Sequence, residues 1–330
     1  MRRSGGSITR IRLRPQFAKL ANDVDEQSGA LRTLLSERDA LKQHCERLEA
    51  LLSNVSYPPG HFYSPIVDVS DQHAITAVRT RIDAPLPAGI KIDVPAMTSM
   101  MKRLAEHHRL FPFPRHQTAG YRFYFDNPFF GCYDASILFS MLLEVRPRRI
   151  VEVGCGHSSC LLLDTSERFF EGALDLTLID PSLDDLKQLF GDGGSGNARL
   201  ISTPVQDVAR EVFERLEEND ILFLDSSHVS KTGSDVNYLM FNILPALKPG
   251  VLVHIHDILY PFEYPEEWVL KEKRSWNESY LLRAFLQYNS AFEIVYWNNF
   301  AWHRMHEDLG RLMPLCLENE GGSIWLRRVT

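Results

Sequence analysis

RRIVEVGCGHSSC, residues 148–160, runs from a short apolar strand into a turn with glycines at 154 and 156, then into small polar residues. A glycine has no Cβ, so such a turn is either a purely structural bend or a place where the backbone comes close to a ligand. The next strand weighs on the choice. It ends LTLIDPS, which puts Asp180 at its tip, 24 residues after Gly156, where a carboxylate can accept both hydroxyl hydrogens of a ribose. Together the two features predict a nucleoside-bearing cofactor. A dinucleotide site normally closes G-x-G-x-x-G with a third small residue, and Ser159 stands there; an adenosyl ligand without phosphates needs less of the helix amino terminus.

Around this turn the chain alternates strand and helix from about residue 134. The strands are RIVEVG, DLTLID, ARLIST, DILFLD and GVLVHIHD; the helices are DASILFSMLLEV, SSCLLLDTSERFF, SLDDLKQLF, DVAREVFERL, SDVNYLMFNILPAL and ESYLLRAFLQYN. Strands this apolar indicate a parallel sheet covered on both faces. FEIVYWN and GSIWLRRV close the chain as a hairpin-like pair. The expectation is an α/β protein, a doubly wound, mostly parallel seven-stranded Rossmann-like sheet with ligands beyond the carboxyl ends of the strands.

Ahead of the sheet, residues 30–53 place Leu34, Leu41 and Leu48 seven apart, with Leu31, Cys45 and Leu52 at the complementary heptad positions and Arg38 as the polar intruder. This predicts a coiled-coil helix and a homo-oligomer through it; an amphipathic helix folded onto its own domain is the alternative. A Pro-Pro-Gly break and a proline-rich stretch follow, with a short helix near 97–109. The expected domains are therefore 1–60 (tail and helix), 61–116 (connecting segment) and 117–330 (catalytic domain).

Composition narrows the partners. A hydrophobic share of 44% and a charged share of 24% fit a folded globular chain, and a formal charge of −7 gives no global electrostatic case for nucleic acid. A small-molecule or saccharide partner is expected instead. Five cysteines form no CxxC pair and their number is odd, which suits a reducing cytoplasm better than a disulfide framework. No apolar run approaches the roughly 18 residues of a membrane span, and the arginine-bearing start, MRRSGGSITRIRLRPQ, reads as a frayed tail with no export signal behind it.

IVEVGCGHSS, LTLIDPS, TPVQDV and DILFLDSSHVSKTGSDVNYLMFNILPALKPGVLVHIHDI resemble the successive motifs of class I S-adenosylmethionine-dependent methyltransferases, in particular metal-assisted small-molecule and sugar O-methyltransferases. The resemblance covers roughly residues 120–330. It implies that Glu152, Gly154, Gly156 and Ser158 surround the methionine part of S-adenosylmethionine, that Asp180 takes the ribose, and that Gln206 or Asp207 lies near the adenine amine. Asp207 reads equally well as a helix N-cap.

Asp225, His228, His256 and Asp257 converge after the fourth and fifth strands, and alternation puts His254 on the same side as His256. The resemblance implies that Asp225, His256 and Asp257 hold a divalent metal while His228, three residues after Asp225, is the catalytic base. Where the resembling enzymes carry a carboxylate or carboxamide this chain has His256; the family favours Mg²⁺ or Mn²⁺, whereas an imidazole among carboxylates suits a transition metal such as iron. Two other classes stay open: a metal-dependent hydroxylase on the same fold, and a non-catalytic assembly component. The segment ILYPFEYPEEWVLKEKRSW is the expected acceptor lid, with Tyr260, Phe262, Tyr264 and Trp268 either stacking on substrate or packing on their own domain. The aromatic stretch YRFYFDNPFFGCYD either covers the cofactor or fills the core.

Overall fold

A computed structural model describes residues 14–53, 55–83 and 85–330. Most of the expected amino-terminal tail therefore lies outside the described residues. The chain divides into two compact units, residues 1–68 and 69–330. In the first, α1 (Arg14–Leu52) is one continuous helix, extending well before the heptads read from the sequence. No helix among the described residues is long and apolar enough to cross a membrane.

The second unit is built on a seven-stranded sheet: β1 (Arg149–Val153), β2 (Asp175–Ile179), β3 (Arg199–Ile201), β4 (Ile221–Leu224), β5 (Leu252–Ile255), β6 (Phe292–Trp297) and β7 (Ile324–Arg328). The order is β3-β2-β1-β4-β5-β7-β6. The first five strands are parallel, and β7 enters antiparallel between β5 and β6. β1, β4 and β5 are buried along their length after Arg149, which explains their unbroken apolar runs. Register aligns Glu152 with Phe223, Phe223 with His254, and His254 with Trp325, so these four side chains form a row across one face.

The helices α2 (Gln72–Arg79), α3 (Val94–His108), α4 (Cys132–Val145), α5 (His157–Phe169) and α6 (Leu183–Phe190) precede β3. α4 is apolar on every side because it is buried on every side: all its residues up to Leu143 are covered. It packs against α3, whose Met97, Met101 and Leu104 are fully buried. Phe139 of α4 meets Phe111, Phe113 and Phe169 edge-on at 5.1–5.9 Å.

Three expectations change. DVAREVFERL is helical only over α7 (Glu211–Glu214), with a separate tight turn at Val205–Asp207. SDVNYLMFNILPAL begins as α8 (Asp235–Tyr238), widens over Leu239–Ile243 and tightens over Leu244–Ala246, where Pro245 has no N–H to continue the ladder. β6 and β7 do pair antiparallel, but α10 (Asn298–Arg304) and α11 (His306–Leu312) separate them, so no tight hairpin joins them. The helix α9 (Glu278–Leu286) lies between β5 and β6.

Candidate active site

The strand hydrogen bonds continue one residue past the ends of the parallel strands. Gly154 N–H donates to Ile179 O (3.0 Å), Asp180 N–H to Ile201 O (3.2 Å), Asp225 N–H to Val153 O (2.9 Å) and His256 N–H to Leu224 O (2.9 Å). Sheet pairing itself thus fixes these residues along the carboxyl edge.

A cavity of about 460 Å³ opens there, lined by Gly154, Asp180, Gln206, Asp225 and Lys231 among others. Asp180 is oriented by two backbone donors, Cys155 N–H on Oδ2 (3.1 Å) and Ser182 N–H on Oδ1 (2.7 Å). Gln206 donates to Gly233 O at 2.8 Å. Asp207 is exposed and is not part of this wall. Glu152 and Ser158 lie beneath the glycine turn: the Glu152 carboxylate accepts from Ser158 Oγ (2.6 Å) and Ser159 Oγ (2.5 Å). Burial pushes the Glu152 carboxyl up to about 8, against the opposing pull of the two serines. Ser159 also accepts from Gly156 N–H (3.1 Å), so the residue in the third-glycine place closes the turn by a hydrogen bond.

Beyond β4 and β5 the chain bends twice into the left-handed region, at His228 (φ 58°) and Asp257 (φ 57°). These bends gather three side chains: His228 Nε2 is 3.3 Å from Asp225 Oδ1 and 3.5 Å from Asp257 Oδ2. Donor atoms of Asp225, His228 and Asp257 all lie within 4.8 Å of one another, a mixed oxygen and nitrogen set that fits a divalent cation. His256 stands beside them, Nε2 3.6 Å from Asp257 Oδ1. Burial lowers the His228 pKa, but hydrogen bonds to Asp225 and Glu278 outweigh it and raise it to about 10. Burial also raises both aspartates; His256 and His228 reverse this at Asp225, leaving it below its ordinary value, but not at Asp257, which stays above.

Two anchoring carboxylates carry no signal of their role in the sequence and were missed there. Buried Glu278 lies 2.9 Å from His228 Nδ1 through Oε2, while the His228 carbonyl accepts from the free N–H groups of Asn277 and Glu278 at the start of α9. Asp134, in the first turn of α4, accepts from Gly322 N–H, Ser323 N–H and Oγ, and Asn298 Nδ2. Gly322 in turn accepts from Ile258 N–H at 2.7 Å and leaves only 3.1 Å between an added Cβ and Asp257 Oδ1. What the sequence does show in each case is an acidic residue opening a helix, which by itself only complements the helix dipole.

His256, Asp257 and Asp134 form the floor of a second cavity, of about 530 Å³, with Phe125, Phe129 and Trp268 on its walls. Of the expected lid aromatics, Tyr260, Phe262 and Tyr264 are buried in the domain, Tyr260 and Phe262 against Trp297, and only Trp268 reaches this cavity. The upstream aromatic stretch divides likewise: Phe123 and Phe130 fill the core, Phe125 and Phe129 face the cavity. His254 and His256 share a face, as alternation predicts; His254 lies flat on Phe223 (3.8 Å, 9°) and burial drives its pKa far down, so it is neutral.

A doubly wound sheet with a glycine turn after β1, an acid at the tip of β2 and a cavity between them is the arrangement in which such sheets bind nucleoside cofactors. The family model described as a methyltransferase domain matches residues 151–258, and the chain belongs to the class I S-adenosylmethionine-dependent methyltransferases. Over 185 residues, 53% of this chain and 82% of the relative, it is 33% identical to an uncharacterized protein of Archaeoglobus fulgidus. Solved structures align more loosely. The apo structure of CmcI is 19% identical with a TM-score of 0.39, covering 65% of this chain and 76% of its own. The plantazolicin methyltransferase BpumL in complex with SAH is 12% identical with a TM-score of 0.38, covering 72% and 86%.

Proposed function

We propose that this enzyme is an O-methyltransferase acting on a hydroxyl of a saccharide or secondary metabolite, with a divalent ion and His228 as base, working in the cytoplasm as a homo-oligomer through α1. The observation that carries the reading is the position of His228: Nε2 reaches both Asp225, in the wall of the first cavity, and Asp257, in the floor of the second. A donor in one and an acceptor in the other would meet at these three side chains.

S-adenosylmethionine supplies an activated methyl group, and a divalent ion, when bound, supplies the positive charge that makes an acceptor hydroxyl more acidic. Asp180 receives the ribose hydroxyls, with Gln206 at the adenine end. Asp225 and Asp257 would hold the ion, with His256, whose Nε2 lies 3.6 Å from Asp257, as the adjacent nitrogen ligand and His228 left free as the base. Without an ion the surrounding carboxylates hold His228 protonated. Positive charge bound at Asp225 and Asp257 would offset them and favour loss of the Nε2 proton, and Glu278 keeps the other proton on Nδ1, so that Nε2 faces the acceptor and takes its proton. Trp268 and Phe129 offer flat apolar surfaces to the acceptor.

Calorimetric titration with S-adenosylmethionine, with and without Mg²⁺ or Mn²⁺, is the test. Wild-type protein should bind in the micromolar range, and Asp180→Ala should lose about tenfold or more in affinity, since hydrogen bonds to a charged group contribute roughly 1.5–3 kcal/mol. Asp257→Asn should leave this binding intact and remove metal-stimulated turnover on a hydroxyl-bearing acceptor panel. Absence of S-adenosylmethionine binding, or methylation confined to nitrogen or carbon acceptors, would overturn the proposal.

A further inference from the structure

α1 is continuous from Arg14 to Leu52, so the heptad seam read over its second half can be followed back to its start. Phe17, Val24, Leu31, Arg38, Cys45 and Leu52 fall on one series of core positions. Leu20, Gln27, Leu34, Leu41 and Leu48 fall on the other, over about five heptads with two polar interruptions. Every described side chain of α1 except Ser28 is exposed, Phe17 at 67% and Leu41 at 65%. A helix of 39 residues, about 58 Å long, carries this stripe of exposed apolar side chains. Isolated helices gain little stability without a packed face.

We infer that α1 pairs with α1 of a second copy as a parallel, in-register, two-stranded coiled coil. The inference rests on the homo-oligomer reading above and specifies its partner and geometry. Charge selects the orientation: in a parallel pair the residue flanking one core edge meets the residue five further along the partner, which sets Glu37 against Lys42 of the second copy. Lys42 otherwise has only a weak contact with Glu46, at 3.9 Å. Arg38 selects the number of strands. Its guanidinium bonds outward to Asp39 of its own helix, and a side chain that long reaches solvent from a core position in two strands more easily than in three. In register, each Cys45 faces its counterpart, and Cys45 is the one exposed cysteine among the five.

Sedimentation of the full chain, mild copper–phenanthroline oxidation and S-adenosylhomocysteine calorimetry test this together. A species of twice 37.9 kDa is expected, linked through Cys45 on oxidation. Cys45→Ser should abolish the link without changing the mass, and Leu34→Asp with Leu41→Asp should give a monomer. S-adenosylhomocysteine binding should be the same in every variant, which separates this inference from the methyltransfer chemistry. A monomeric or trimeric wild type, a dimer that does not cross-link, or a dimer that survives the double substitution would overturn it.

Discussion

The carbonyl oxygen of Asp225 occupies the space in which a side chain on Gly154 would begin: an added Cβ would lie 1.6 Å from it. Gly154 also has φ +81°, a conformation that side chains rarely adopt. The first glycine of the turn is therefore required by the approach of β4 to β1, before any ligand is considered. Gly156 differs on both counts, with φ −171° and nothing within 4 Å of an added Cβ.

Gly154→Ala should consequently destabilise the protein by about 3 kcal/mol or more, because it combines backbone strain with a clash against immobile main chain. Gly156→Ala should change stability by less than about 1 kcal/mol. Thermal melts of both variants without ligand check the contrast. If Gly156→Ala melts like wild type but binds S-adenosylmethionine more weakly, the second glycine serves the ligand.

Glu152 yields a pH dependence. Its folded pKa of about 8 lies above the ordinary 4.5, so its contribution to stability is fully present at or below 4.5 and is lost as pH rises through about 8. Glu152→Gln has no such loss. The difference in melting temperature between variant and wild type should therefore shift in the variant's favour from pH 5.5 to pH 8.5, measured without ligand. A constant difference would mean that the carboxyl is ionised throughout.

For His228 the folded pKa is likewise raised, to about 10, so the charged imidazole stabilises fully below its ordinary 6.5 and the effect is lost as pH climbs through 10. Glu278→Gln removes one of its carboxylate partners. The expected result is a loss of about 2 kcal/mol at pH 7 in urea unfolding and a lower His228 pKa by imidazole ¹⁵N shifts. Activity should fall in kcat more than in KM, since Glu278 holds the histidine and not the acceptor. An unshifted His228 titration would remove Glu278 from this role.

The local chemistry is legible in the amino-acid sequence by itself: a glycine turn and an acid at the next strand tip belong to one strand–helix–strand unit, and Asp225, His228, His256 and Asp257 sit directly after apolar strands. Heptads over residues 30–53 announce a helix in the same way. Each signal arises from a short-range constraint such as helix period, strand burial or turn geometry, and these leave a pattern in neighbouring residues. Tertiary structure alone decided that β7 enters between β5 and β6, and that Glu278 anchors a histidine 50 positions earlier. It alone brought Asp134 to the loop at Gly322, 188 residues away, and set that loop beside Asp257. Contacts of that span depend on how separate elements dock, and a hydrogen bond between two buried groups imposes no period on the sequence around either of them.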